Sequence, residues 1–187
     1  MQTLGFTGMP WSGKSEAVAF ATEKGFPVFR MGDFIWDEVK KRKLPMNAST
    51  VGSVASDMRE KYGSTIWAER TVEAIEEVND SSIVVIDGIR SRSEVNYFRT
   101  HLSDSFRLVA IIASDEIRHQ RAKKRGRVDD SSDNQSIKQR DNREIQWGIE
   151  QVINESDIKI RNESSLASFR KKIAILFSNE VIDESID

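Results

Sequence analysis

The chain has 187 residues, with 28 Lys plus Arg against 30 Asp plus Glu and a net charge of −2. That length suits one domain with a real core, and the near-neutral balance argues against a general nucleic-acid binder, which carries a basic excess. The lack of cysteine excludes disulfides, thiolate metal sites and thiol catalysis. No apolar run reaches the length of a membrane span and no signal peptide precedes the first apolar segment, so a cytoplasmic location is expected.

The N-terminal run closing on Leu4-Gly5-Phe6-Thr7 is too short for a helix and reads as a buried strand. It leads into Gly8-Met9-Pro10-Trp11-Ser12-Gly13-Lys14-Ser15, the Gly-x-x-x-x-Gly-Lys-Ser pattern of a phosphate-binding loop. Glu16 to Ala21 then supplies good helix formers. The glycines therefore fall at a strand-to-helix turn, where backbone N–H groups and the positive end of the helix dipole converge. Gly8 and Gly13 let the backbone approach phosphate oxygens. Lys14 is expected to bridge the β- and γ-phosphates of ATP, and the Ser15 hydroxyl to hold Mg2+.

Gly25 ends the first helix, and Phe26 to Arg30 reads as a second strand with Gly32-Asp33 at its carboxyl end. A helix through Asp37–Lys40 follows, with Asp33 placed to cap it at Phe34. After Pro45, helices are expected around Val54–Lys61 and Trp67–Val78. Ser82 to Gly88 is the plainest buried strand, with four consecutive β-branched residues ending in Asp87. A helix around Glu94–His101, a strand over Leu108–Ala113 and a charged helix over Glu116–Lys124 come next. The polar stretch Gly126–Ser136 precedes a helix over Ile137–Gln146, read as continuing beyond Gly148. Ile158–Arg161 is a last strand, and Leu166, Phe169, Ile173 and Leu176 mark an amphipathic C-terminal helix.

Alternating strands and helices predict an α/β fold, a parallel five-stranded sheet with helices on both faces. The expected organisation is a single P-loop domain over 1–187, with a helical acceptor region at about 33–79 and a lid at about 125–140. In an open sheet ligands bind at the carboxyl ends of strands, so the loop, Gly32-Asp33 and Asp87-Gly88 share one cleft. Asp87 is the expected second magnesium contact. His101, His119, Lys123 and Lys124 match no motif and read as surface groups, Trp67 and Trp147 as packing, and Glu180–Asp187 as a solvated end.

Asp87-Gly88-Ile89-Arg90 resembles the Asp-Gly-x-x-Arg region of adenylate kinase and its relatives, in which the arginine grips the acceptor phosphate. Met31-Gly32-Asp33 is similar to their Thr-Gly-Asp element beside the acceptor. Arg121, Arg125, Arg127, Asp129, Asp130, Arg140 and Arg143 resemble the arginine-rich lid and its flanks. The likeness covers about residues 3–145 and points to a small archaeal adenylate-kinase-related group, which also carries Gly-Met-Pro, Asp-Gly-Ile-Arg-Ser and Arg-Gly-Arg-x-Asp-Asp.

The resemblance implies an ATP-dependent phosphotransferase using Mg2+, with Lys14, Asp33, Arg90, Arg127 and Arg140 in the chemistry. Gly8, Met9, Pro10, Trp11, Ser12, Gly13, Lys14, Ser15 and Arg125 would hold the nucleotide, and Ser15 and Asp87 the metal. Such arginines suit phosphoryl transfer, which needs positioning, charge compensation and exclusion of water. With an alcohol acceptor Asp33 can take its proton; with a phosphate it only positions.

Two departures bear on the acceptor. Trp36 stands where adenylate kinases have an arginine, and Trp11 where the loop has a third glycine. Both point to a larger, more apolar acceptor than an ordinary nucleoside monophosphate. A nucleotide, a dephosphocoenzyme-like molecule and a phosphorylated alcohol such as a mevalonate phosphate all stay open. So does an RNA- or ribosome-associated ATPase, although nucleic acid is not the expected partner. A GTPase is not expected, because no Asn-Lys-x-Asp occurs. The expected assembly is a monomer or homodimer, acting on a small-molecule acceptor away from membranes.

Overall fold

In the computed structural model, which describes residues 1–125 and 134–178, five parallel strands form one sheet in the order β2-β3-β1-β4-β5. They are β1 (Gln2–Thr7), β2 (Val28–Arg30), β3 (Ile83–Asp87), β4 (Phe106–Ile112) and β5 (Ile158–Arg161). The order puts β1 at the centre, between β3 and β4, so the loop that follows it opens where the chain switches direction across the sheet. The expected α/β fold is the one observed. No described helix is long and apolar enough to cross a membrane.

Helices cover both faces. α1 (Lys14–Glu23) and α9 (Leu166–Phe177) pack on one face, around Leu4, Phe6, Val85, Ile111 and Phe169. Phe177 stacks on Phe6, Phe20 and Phe26 there, which ties the C-terminal helix to the first strand. The opposite face carries α2 (Met31–Lys41), α3 (Ala48–Tyr62), α4 (Ile66–Glu76) and α5 (Arg92–Leu102), with α8 (Ile149–Asn154) contributing Val152. α6 (Asp115–Arg125) and α7 (Asn134–Gln146) stand over the carboxyl ends of the strands.

Local signals explain some of the helix starts. Asn47 accepts the Thr50 N–H at 2.9 Å and opens α3, and Ser91 with Glu94 forms a reciprocal capping box for α5. Pro27 cannot donate to a ladder, and β2 begins only after it, at Val28 rather than Phe26.

Two expectations need correcting. α2 starts at Met31, directly after β2, so Asp33 lies inside its first turn and does not cap a helix at Phe34; Arg30 is the cap residue and makes no side-chain cap. The helix expected to run past Gly148 instead breaks there: Gly148 takes φ 89, a left-handed conformation that ends α7 and opens α8. The lid is described only at its flanks, since Arg127, Asp129 and Asp130 lie outside the described residues.

Phe98 is fully buried and stacks on Phe106 at 5.5 Å between ring centres, pinning α5 to β4. Phe98→Ala should lower the unfolding free energy by about 3–5 kcal/mol. A urea titration should show that loss as a lower midpoint with an unchanged slope.

Candidate active site

The loop after β1 is held open by backbone conformation. Gly8 has φ 148, and a Cβ there would lie 2.5 Å from the Ile111 carbonyl oxygen. Gly13 has φ 108, and a Cβ would lie 2.1 Å from Asn162 Nδ2. Neither position admits a side chain. Trp11 sits at φ 60, the left-handed region that a third glycine would enter freely. The Ser12 N–H closes a turn onto the Met9 carbonyl at 3.2 Å, and Glu16 N–H bonds Gly13 as α1 begins. Lys14 and Ser15 fall in the first turn of α1, whose N–H groups have no acceptor inside a helix.

Lys14 Nζ is ion-paired and hydrogen-bonded to Asp87 Oδ1 across the carboxyl ends of β1 and β3. The residue expected on phosphate and the residue expected on magnesium therefore face each other. Thr7 Oγ1 donates to the Ile89 carbonyl at 3.0 Å and fixes the Gly88–Arg90 turn beside them.

A cavity of about 660 Å³ opens over the loop, walled by the loop itself, Gly88–Arg90, Arg121, Lys124, Arg140 and Glu144. Among the described residues, five cationic side chains line it (Lys14, Arg90, Arg121, Lys124 and Arg140) against two carboxylates, Glu16 and Glu144. That excess suits a polyanion. Arg140 lies over the Trp11 ring at 4.9 Å from its centre. Arg90 pairs with Glu144 Oε2 at 3.3 Å and lies over the Trp147 ring at 5.4 Å. The Arg90–Glu144 approach lacks hydrogen-bond alignment, so the buried Oε2 has no hydrogen-bond donor among the described residues.

The structure brings Gly8–Ser15, Asp87, Arg90, Arg121 and Arg140 together around the loop. Lys124, read as a solvated charge, is on the cavity wall instead. Arg143 faces Trp147 at 5.7 Å, and that indole is 46% exposed rather than packed inside. Arg125 is the last residue of α6, at the edge of the described lid flank. Asp33 is exposed on the first turn of α2 and does not line the cavity, and Trp36 beyond it is exposed too.

Four residues that shape the loop and the cavity carry no sequence signal. Arg118 is 1% exposed; it donates to the Pro10 carbonyl at 3.0 Å, to both oxygens of Asp141 at 2.9 Å and to Asp115 at 2.6 Å. His119 Nε2 bonds the same Asp141 carboxylate at 2.8 Å, so it is part of this cluster and not a free surface group. Asn162 Nδ2 donates to the Ser12 carbonyl at 2.8 Å, and Arg121 donates to Ser12 and to Asn162. Glu144 is the fourth. Burial holds the Arg121 guanidinium below its ordinary pKa.

A phosphate loop at the centre of a parallel sheet, a facing strand-end Asp and an arginine-lined cavity make up a P-loop domain. Residues 7–159 match the AAA domain family. The chain belongs to the UPF0200 family. It is 42% identical over 179 residues to the UPF0200 protein of Methanosarcina barkeri, covering 96% of both chains. It is 41% identical to that of Methanocaldococcus jannaschii, over 88% of this chain and 83% of the relative. Among solved structures, TT1252 from Thermus thermophilus aligns with a TM-score of 0.66 at 13% identity, over 96% of this chain and 98% of that one. Shikimate kinase from Acinetobacter baumannii, solved with shikimate, aligns with a TM-score of 0.56 at 13% identity, over 97% and 96%. These two share the fold.

Burial alone would raise the Asp141 carboxyl, but hydrogen bonds from Arg118 and His119 outweigh it and hold the group below the usual carboxylate range. Its contribution to stability is complete above the unfolded carboxylate value of about 3.9 and is lost as pH falls through the lower folded value. The melting-temperature gap between wild type and Asp141→Asn should be widest near neutral pH. Thermal melts from pH 7 to pH 3 should show it closing only at the acid end.

Proposed function

We propose that the chain is an ATP-dependent phosphotransferase, moving the γ-phosphoryl group of Mg-ATP to a small phosphorylated metabolite or nucleotide. One observation carries this reading: the phosphate loop forms the floor of a cavity whose opposite wall is arginine-rich. Residues 8–15 would cradle the triphosphate through backbone N–H groups. Lys14 would exchange Asp87 for the β- and γ-phosphate oxygens.

Ser15 and Asp87 fit a magnesium ion. The described residues hold no cluster of three or more His, Cys, Asp or Glu able to bind a metal alone. A single carboxylate and a hydroxyl, completed by phosphate oxygens and water, is how protein sites usually take this ion. When bound, it neutralises charge on the β- and γ-phosphates. Arg140, with Arg125 and Arg127 from the lid, would meet the transferring group as the lid closes over 125–140, excluding water. Arg90 would grip an anionic group of the acceptor.

A second reading, transfer to an alcohol, is favoured by Glu144. A carboxylate on the cavity wall beside Arg90 repels a phosphate placed against it as the accepting group, whereas a hydroxyl placed there can donate to it. The acceptor would then be a phosphorylated alcohol or a dephosphocoenzyme-like molecule. Asp33 would serve as base for such a hydroxyl only if the acceptor reaches the exposed turn of α2. The neighbouring fold in shikimate kinase supports a small-molecule acceptor. The likeness to the archaeal adenylate-kinase-related group supports the donor side.

A screen of acceptors with labelled ATP and Mg2+, scored for a phosphorylated product, tests the reading. A labelled metabolite is the expected result. Turnover that rises with RNA and with no metabolite would favour a regulatory ATPase instead. Efficient ADP formation from ATP and AMP would remove the case for an unusual acceptor. Lys14→Ala should keep the wild-type circular dichroism spectrum and abolish transfer.

A further inference from the structure

Two peptide units of the phosphate loop have their carbonyls bonded from behind. The Pro10 carbonyl accepts from Arg118 Nη1 at 3.0 Å. The Ser12 carbonyl accepts from Asn162 Nδ2 at 2.8 Å and from Arg121 Nη1 at 3.2 Å. The N–H groups of the same two peptide units belong to Trp11 and Gly13. Among the described residues neither donates to a protein acceptor.

A hydrogen bond to a peptide carbonyl draws electron density through the amide and strengthens the N–H at its other end, by about 10–30% per bond. A cationic donor does this more strongly than a neutral one. It also fixes the plane of the peptide, which at Trp11 must be held against a left-handed φ of 60. Arg118 is buried at 1% exposure, and both oxygens of Asp141 grip its guanidinium. Buried ion pairs can often be replaced by apolar residues without loss of stability, so packing alone does not require this one. Beyond its pairs with Asp141 and Asp115, its bond to the loop carbonyl gives the buried charge a use.

We propose that Arg118 and Asn162 are positioning residues for the donor phosphates, each polarising one loop peptide so that the Trp11 and Gly13 N–H groups are set to receive oxygens of a nucleoside di- or triphosphate. The proposal rests on the reading of the loop as a nucleotide site. Arg121 reinforces the second peptide. Asp141, on α7, holds Arg118 in place, so the helix beyond the lid is coupled to the donor loop.

The test compares wild type, Arg118→Met combined with Asp141→Asn, and Asn162→Ala. The double change removes both charges and leaves no carboxylate buried alone. Asn162→Ala leaves that cluster intact and keeps the test open if the double variant does not fold. Mg-ADP affinity is measured by calorimetry, and amide signals by 15N NMR, below each variant's melting temperature.

Wild type should bind Mg-ADP with downfield shifts of both the Trp11 and Gly13 amide protons. Each variant should bind about 10- to 100-fold more weakly. The Trp11 shift should collapse in the double variant while that of Gly13 persists, and Asn162→Ala should reduce the Gly13 shift alone, with Arg121 still on the Ser12 carbonyl. A purely structural role would weaken both signals together. That outcome, or affinities within about threefold of wild type in every folded variant, overturns the proposal. Wild-type protein that binds no Mg-ADP overturns the functional reading, and the proposal with it.

Discussion

Mutual repulsion among cations is the constraint on which the whole carboxyl end of the sheet depends. Two unit charges about 8 Å apart repel by about 2 kcal/mol at the effective dielectric of a protein surface. Five such groups line one cavity. The fold answers with a partner of a different kind at almost every one. Lys14 has the Asp87 carboxylate, Arg90 has Glu144 and an indole, Arg121 has carbonyl oxygens, and Arg140 lies on the Trp11 ring. A polyphosphate would take over several of these roles at once, so binding exchanges counter-charges rather than creating them.

α7 links the two ends of that arrangement. Arg140, Asp141 and Glu144 project from one side of this helix, and Trp147 follows its last turn. The first touches the phosphate loop through Trp11, the second through Arg118, while Glu144 and Trp147 both hold Arg90. Spacing of three and four residues puts them on a common face. α8 is anchored in the core by Ile149 and Val152 beyond the left-handed Gly148, so the joint between the helices falls next to these contacts.

What could be read from the sequence was what is encoded locally. The loop motif announced its own turn, and the β-branched run before Asp87 and the alternation at Ile158–Arg161 gave strands close to the observed ones. The start of α2 was misread because Gly32-Asp33 has turn chemistry; burial of Met31 against the core overrides that preference and starts the helix earlier. Arg118 and His119 were invisible for another reason. In a helix carrying charges throughout, nothing local distinguishes a buried guanidinium from a solvated one. Its environment is made by Asp141 and Pro10, both distant in the chain. Glu144 and Asn162 were missed likewise, because their significance is wholly tertiary.

The indole in the phosphate loop has one more consequence. A bulky residue held left-handed costs roughly 1 kcal/mol that a glycine would spare. In exchange the chain carries a fluorophore within that loop, its face covered by a guanidinium. Trp67 is sealed in the interior, whereas Trp36 and Trp147 lie at the surface, away from the loop backbone. The emission of Trp11 is therefore a built-in gauge of whether Arg140 rests on the loop or has left it.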